Sequence, residues 1–379
     1  MALNIQTIEN QSMKYLIILL ILTTLPLTVN SQGISIETAN ESEELASGSF
    51  PLNGSVLQVS GGRFLIGDQA VINPLAWSVS KQEGRLAFLQ NRGGVELQSF
   101  NSNGDLLYTR ALDFFDPSDE TLSVFQFADG KVILRDNVAN FTFLNSRGET
   151  AYSVSNSSGS LEGERESMLA ADAFGNTVIL FNPVIAGQSG TGSRAQIIFG
   201  DRDATTIFRS NREEIRDVFL HHKGSFVSII TSLDTGSAIY LYDRLGNELY
   251  QSRLEEDIIG VTLSDDAQFL TAYSSGRMQV YNIVTGEREG SASSRSSILY
   301  AKYDAASQVI VALGGVRSGL TIEEPEITAV SLAQRKIERE AVPYSLSMLE
   351  ADRLYLERTD ANRYRLTGLN RTLLLEIGF

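Results

Sequence analysis

The sequence predicts an all-β fold, a single β-propeller of seven four-stranded blades with an eighth left open by the question of ring closure. Three observations predict it. One short pattern, an apolar stretch, a small polar turn and a β-branched or aromatic run, recurs with turn centres at Gly84, Gly130, Gly175, Gly224, Ala267, Ser307 and Asp352. The spacing, roughly 40–50 residues, is the length of a four-stranded blade, a unit that cannot bury its own faces and must stack on neighbours. No segment carries a capped apolar stripe of helical period, and the most apolar runs are short, as in 86–89, 132–134, 178–180, 226–230 and 309–312. Continuous apolar runs of that length fit strands buried on both faces between stacked sheets.

Each repeat then reads the same way. In the fifth, 261–263 forms a first strand, Asp265-Asp266 a turn, 269–273 a second strand, 278–281 a third, and Val284-Thr285-Gly286-Glu287 a hairpin into a fourth. The last hairpin recurs at Ser102-Asn103-Gly104-Asp105, Ser146-Arg147-Gly148-Glu149 and Arg244-Leu245-Gly246-Asn247, with glycine supplying the positive φ that tight hairpins need. In the final repeat 354–356, 364–366 and 372–377 are expected as second, third and fourth strands. That leaves an N-terminal pair, 55–59 and 63–67, as an outer latch that closes the ring or as half of an eighth blade; the latch is preferred, since closure protects sheet edges.

The segments Tyr281-Asn282-Ile283-Val284-Thr285-Gly286-Glu287 and Leu241-Tyr242-Asp243-Arg244-Leu245-Gly246-Asn247 resemble the third-to-fourth-strand hairpins of the WD40-like and quinoprotein-like propeller superfamily. The resemblance covers most of residues 75–379 and implies the fold alone. No repeat ends in Trp-Asp, none opens with Gly-His, and the chain has one tryptophan, Trp77, so no catalytic residue is carried over.

Residues 1–31 read as a secretory signal peptide whose natural start is Met13: Lys14 precedes the apolar stretch 15–29, and Val29 and Ser31 supply the small-residue cleavage pattern. Residues 32–54, with Glu37, Glu41, Glu43 and Glu44, read as a flexible segment, and 55–379 as the propeller. The chain has no cysteine, which excludes disulfides, thiolate metal sites and lipidated cysteine; an exported protein of this kind points to a bacterial secreted or periplasmic product without a membrane anchor, either a monomer or part of a cell-envelope complex. Its net charge of −15 disfavours nucleic acid and anionic lipid as partners and favours a protein or a cationic ligand.

Candidate chemistry is sparse. The only histidines, His221 and His222, fall in a turn before a second strand, where adjacent side chains diverge and suit chelation poorly. Gly187-Gln188-Ser189-Gly190-Thr191-Gly192 lacks the lysine and following helix of a phosphate loop; it and 314–326 read instead as long connections between second and third strands. No catalytic residue, metal ligand or cofactor is assigned. Carboxylates cluster between repeats: Asp113, Asp116, Asp119 and Glu120; Glu162 and Glu164, with Glu166; Glu213 and Glu214; Glu255, Glu256 and Asp257. In an up-and-down blade these junctions emerge beside the second-to-third connections, which predicts one acidic, long-loop face. Arg216 and Lys302, on first strands, are expected to face the central channel. The function that follows is an exported, non-enzymatic binding or scaffold propeller acting through the acidic face; the alternative is a propeller enzyme of lyase, hydrolase or quinoprotein type with a site in the channel.

Overall fold

A computed structural model describes residues 33–38, 48–80, 83–113, 115–157, 166–183, 192–200, 203–348 and 353–379. Among them the backbone forms eight antiparallel sheets, seven of four strands and one of four plus a two-residue fifth. Sheets 1 to 7 occupy residues 49–72, 76–112, 123–155, 168–210, 214–254, 260–293 and 298–341; sheet 8 occupies 355–378 and takes its outer strand from Gly33–Thr38. In sheets 1 to 7 the four main strands pair in chain order as an up-and-down meander, the two-residue fifth strand of sheet 7 pairing with its third; sheet 8 draws one of its four strands from far away in the sequence. Seven apolar clusters sit between successive sheets, from sheets 1 and 2 through to sheets 7 and 8. The expected second strands are the buried cores of these clusters: Val132–Arg135 and Thr177–Phe181 are buried along their whole length.

The recurrent turns have a local cause. In four third-to-fourth-strand hairpins the residue before the turn is Asn or Asp, and its side chain accepts backbone N–H bonds from across the turn. Asn101 Oδ1 takes those of Asn103 and Asp105, Asn145 those of Arg147 and Glu149, Asp243 those of Leu245 and Asn247, and Asn282 those of Val284 and Thr285. Such Asx bonding fixes the turn without help from the rest of the fold. First-to-second-strand turns use the same device; Asp172 satisfies the N–H groups of Phe174, Asn176 and Thr177.

The N-terminal expectations are corrected. The segment expected to be flexible contains two strands, Gly33–Thr38 and Ser49–Leu52. The pair 55–59 and 63–67 is not the latch: Ser55–Ser60 and Arg63–Ile66 are the middle strands of a complete sheet 1, flanked by Ser49–Leu52 and Gln69–Ile72. This sheet escaped the repeat pattern because it is compressed into residues 49–72, with strands of four to six residues. Its Phe50, Leu57 and Ile66 are nevertheless fully buried.

The latch is Gly33–Thr38, which pairs with Leu373–Gly378 from Gly33↔Gly378 to Thr38↔Leu373. The last repeat is shifted accordingly. Tyr355–Asp360 is its first strand, Arg363–Thr367 its second and Leu373–Gly378 its third, so 354–356, 364–366 and 372–377 each lie one place earlier than expected; the turn expected at Asp352 falls outside the described residues. Ile34 and Ile36 alternate inward against the apolar cluster of sheets 7 and 8, which is what a period of two requires of an edge strand with one buried face. The expected connection at 314–326 is instead an ordered hairpin, Val309–Ser318 and Thr321–Ser331.

Candidate ligand-binding face

In a four-stranded meander the second-to-third connection and the link to the next sheet leave by the same end. At that end the acidic residues divide into two kinds. Some hold their own loops together. Asp116 Oδ1 accepts from the backbone and hydroxyl of Ser118, which lowers its carboxyl pKa, and Asp119 Oδ1 accepts the same pair from Thr121. Glu213 receives hydrogen bonds from Thr231 Oγ1 at 2.9 Å and Tyr240 OH at 2.6 Å and lies 3.4 Å from Arg253. Burial pushes the Tyr240 phenol well above its usual range, and the Glu213 bond and charge add to the effect. Glu256 pairs with Arg277 at 2.6 Å.

Others face solvent. Asp113, Glu120 and Glu255 are exposed, and the Asp257 side chain is 75% exposed even though Arg216 approaches it at 3.3 Å. Glu214 is half-buried at the start of Glu214–His221. Glu162 and Glu164 lie outside the described residues, as do the signal-peptide region and most of the glycine-rich stretch 187–192. At the same end a cavity of about 310 Å³ opens between sheets 4 and 5, lined by Asn211, Arg212, Glu213, Glu214, Ser232 and Asp234 among others.

The two first-strand cations are both engaged. Arg216 donates to the Ile258 carbonyl at 3.2 Å as well as approaching Asp257. Lys302, 5% exposed, donates to Asp265 Oδ1 at 2.5 Å and to the Leu356 carbonyl at 2.8 Å, with its ammonium 4.8 Å from the centre of the Tyr355 ring. It therefore joins sheets 6, 7 and 8. His221 ends the first strand of sheet 5, its Nε2 2.9 Å from Ser228 Oγ. Desolvation, with the charges of His222 and Lys302, lowers its pKa to about 3, so the imidazole is neutral. His222 turns away to the Ser264 carbonyl at 2.9 Å; of the two residues expected in the turn, His222 lies in it and His221 closes the strand before it.

Two polar groupings carry no linear motif. Arg135, buried at the end of an apolar second strand, donates to the carbonyls of Thr121 and Ser167 and to Ser123 Oγ, and pairs with Glu166 at 2.6 Å. A charged residue closing the run Val132-Ile133-Leu134 was the available signal. Arg353, at the entrance to sheet 8, reaches Asp217 of sheet 5 at 3.8 Å and lies over the Phe219 ring. Burial raises the Asp217 carboxyl pKa, and the Arg353 charge opposes it. Beside them Tyr273 fills the space a side chain on Gly260 would need: a Cβ there would lie 2.0 Å from the Tyr273 ring. No cluster of three or more metal-ligating side chains occurs among the described residues.

No family model matches the chain, and no curated protein sequence matches it. Solved structures do match in shape. The Dos1 propeller aligns with a TM-score of 0.51 at 10% identity, over 87% of this chain and 95% of that one. The fold is a β-propeller. BamB from Moraxella catarrhalis aligns over 91% of this propeller and 99% of its own length at 14% identity and a TM-score of 0.46; Saccharomyces cerevisiae Sqt1 aligns over 81% and 96% at 10% identity and the same TM-score. At these identities the likeness concerns the fold alone, and the propeller's function has to be argued from its own side chains. Among the described residues no helix is long and apolar enough to cross a membrane.

Proposed function

We propose that the protein is an exported, non-enzymatic binding scaffold whose acidic, long-loop face receives a basic segment of a partner protein. The observation that supports this reading most is the division among the loop carboxylates. Asp119, Glu213 and Glu256 fix the loops through hydrogen bonds and ion pairs, while Asp113, Glu120, Glu255 and Asp257 present their charge to solvent on loops so fixed. Fixed loops bearing outward charge reduce the ordering cost of association and steer an oppositely charged partner. The net charge of −15 acts in the same direction at longer range.

The test is fluorescence anisotropy with a labelled Lys/Arg-rich peptide, titrated into the protein at low and at physiological salt. Binding should be saturable and weaken with salt, and the combined substitution Asp113→Asn, Glu120→Gln, Glu255→Gln, Asp257→Asn should weaken it roughly tenfold at low salt. Peptide affinity that is absent, or that ignores both salt and the substitutions, sinks the reading.

A further inference from the structure

The hairpin between the second and third strands of sheet 7 is longer than its sheet needs. Beyond a bulge at Gly314, the pairs Val316↔Glu323, Arg317↔Ile322 and Ser318↔Thr321 extend it as an arm. Within the arm Ile322, one pair short of the tip, is fully buried in the apolar cluster of sheets 7 and 8 beside Leu346. At the tip Leu320 instead packs against the cluster of sheets 1 and 2, which contains Phe50, Leu57 and Phe88. The arm thus starts on sheet 7, passes sheet 8 and ends on sheet 1.

Its course is pinned on the way. The two-residue strand Leu346–Ser347 pairs with Thr321 and Ile322, and the Met348 N–H donates to the Leu320 carbonyl at 2.8 Å. Ser347 in turn exchanges hydrogen bonds with Asn370 of sheet 8: the Ser347 N–H donates to Asn370 Oδ1 at 2.8 Å and the Asn370 N–H to the Ser347 carbonyl at 2.7 Å. Every other junction between successive sheets has its own apolar cluster; among the described residues, sheets 8 and 1 share none.

We infer that the arm 316–323 is a strap that fastens the seam between sheet 8 and sheet 1, and that the ring opens at this seam when the Leu320 tip is released. Apolar burial at the tip is the fastening, since exposed Val316, Arg317 and Ser318 contribute little. The seam is then the point of lowest local stability in an otherwise uniformly stacked ring.

Amide hydrogen exchange on the full chain tests this, comparing Leu320→Asp with the exposed-arm control Val316→Ser. In Leu320→Asp, amides of residues 49–72 should exchange about tenfold faster or more while those of 214–293, on the far side, keep their wild-type rates. Trp77, the only tryptophan, sits against the same cluster as Leu320, so its emission should shift to longer wavelength. Val316→Ser should alter neither. Unchanged exchange in 49–72, or equal acceleration in every sheet, overturns the strap; if Leu320→Asp does not fold, Leu320→Ala is read by the same two signals.

Discussion

His221 shows how a residue type that suggests chemistry is turned to architecture. Its imidazole is desolvated at the end of an inner strand, bonded to Ser228 and held neutral by its surroundings. A histidine whose pKa falls from 6.5 in the unfolded chain to about 3 in the folded one binds its proton only after unfolding across that interval. Stability from this residue is therefore complete above pH 6.5 and is lost as the pH drops toward 3, at up to about 1.4 kcal/mol per pH unit. Urea unfolding of His221→Gln between pH 7 and pH 4 should show a shallower acid loss than wild type; parallel curves would contradict the neutral, partly buried ring. Arg135 makes the complementary case. Burial lowers its guanidinium pKa, with Glu166 and Asp119 opposing the shift; its bonds to Thr121, Ser123, Ser167 and Glu166 make the charge a fastening between loops rather than a ligand site.

At the scale of the element, the hairpins carry their own instructions. Asp243 holds the Leu245 and Asn247 N–H groups from an exposed position, so Asp243→Ala should cost about 1 kcal/mol in a urea titration, while Asp243→Asn, which keeps the accepting oxygen, should cost much less. Part of this was legible in sequence: glycine marks the hairpins, though the Asn and Asp residues that fix them went unread, and the buried second strands of sheets 2 to 7 follow from residue type and period. Sheet 1 was not, because its short strands break the spacing that flags the others. The final repeat was misphased for a different reason. Its fourth strand lies at the other end of the chain, and the pattern at 354–377 looks complete until Gly33–Thr38 is seen to supply the edge. The site was less legible than the fold. Sequence groups Glu213, Glu255 and Glu256 as equivalent carboxylates, yet Tyr240, Thr231 and Arg277 occupy two of them, and such partners come from strands many residues away.

The molecule as a whole depends on its closing strand. Gly33–Thr38 covers the edge Leu373–Gly378 and adds Ile34 and Ile36 to the cluster of sheets 7 and 8. A chain lacking residues 33–38 should unfold at a lower temperature and, with an apolar edge strand left bare, scatter light at concentrations where the full chain does not. A truncated chain as stable and as monodisperse as the full one would show that the edge needs no cover. The same pairing bears on the order of synthesis. The strand that leaves the ribosome earliest among those described has no partner until the last one follows it, so it must wait, unpaired, through translation of nearly everything between. Closing a loop of that length is slow more than it is costly. The chain thus has a long interval in which seven sheets can stack while one edge stays open, and closure is timed by the arrival of Leu373–Gly378.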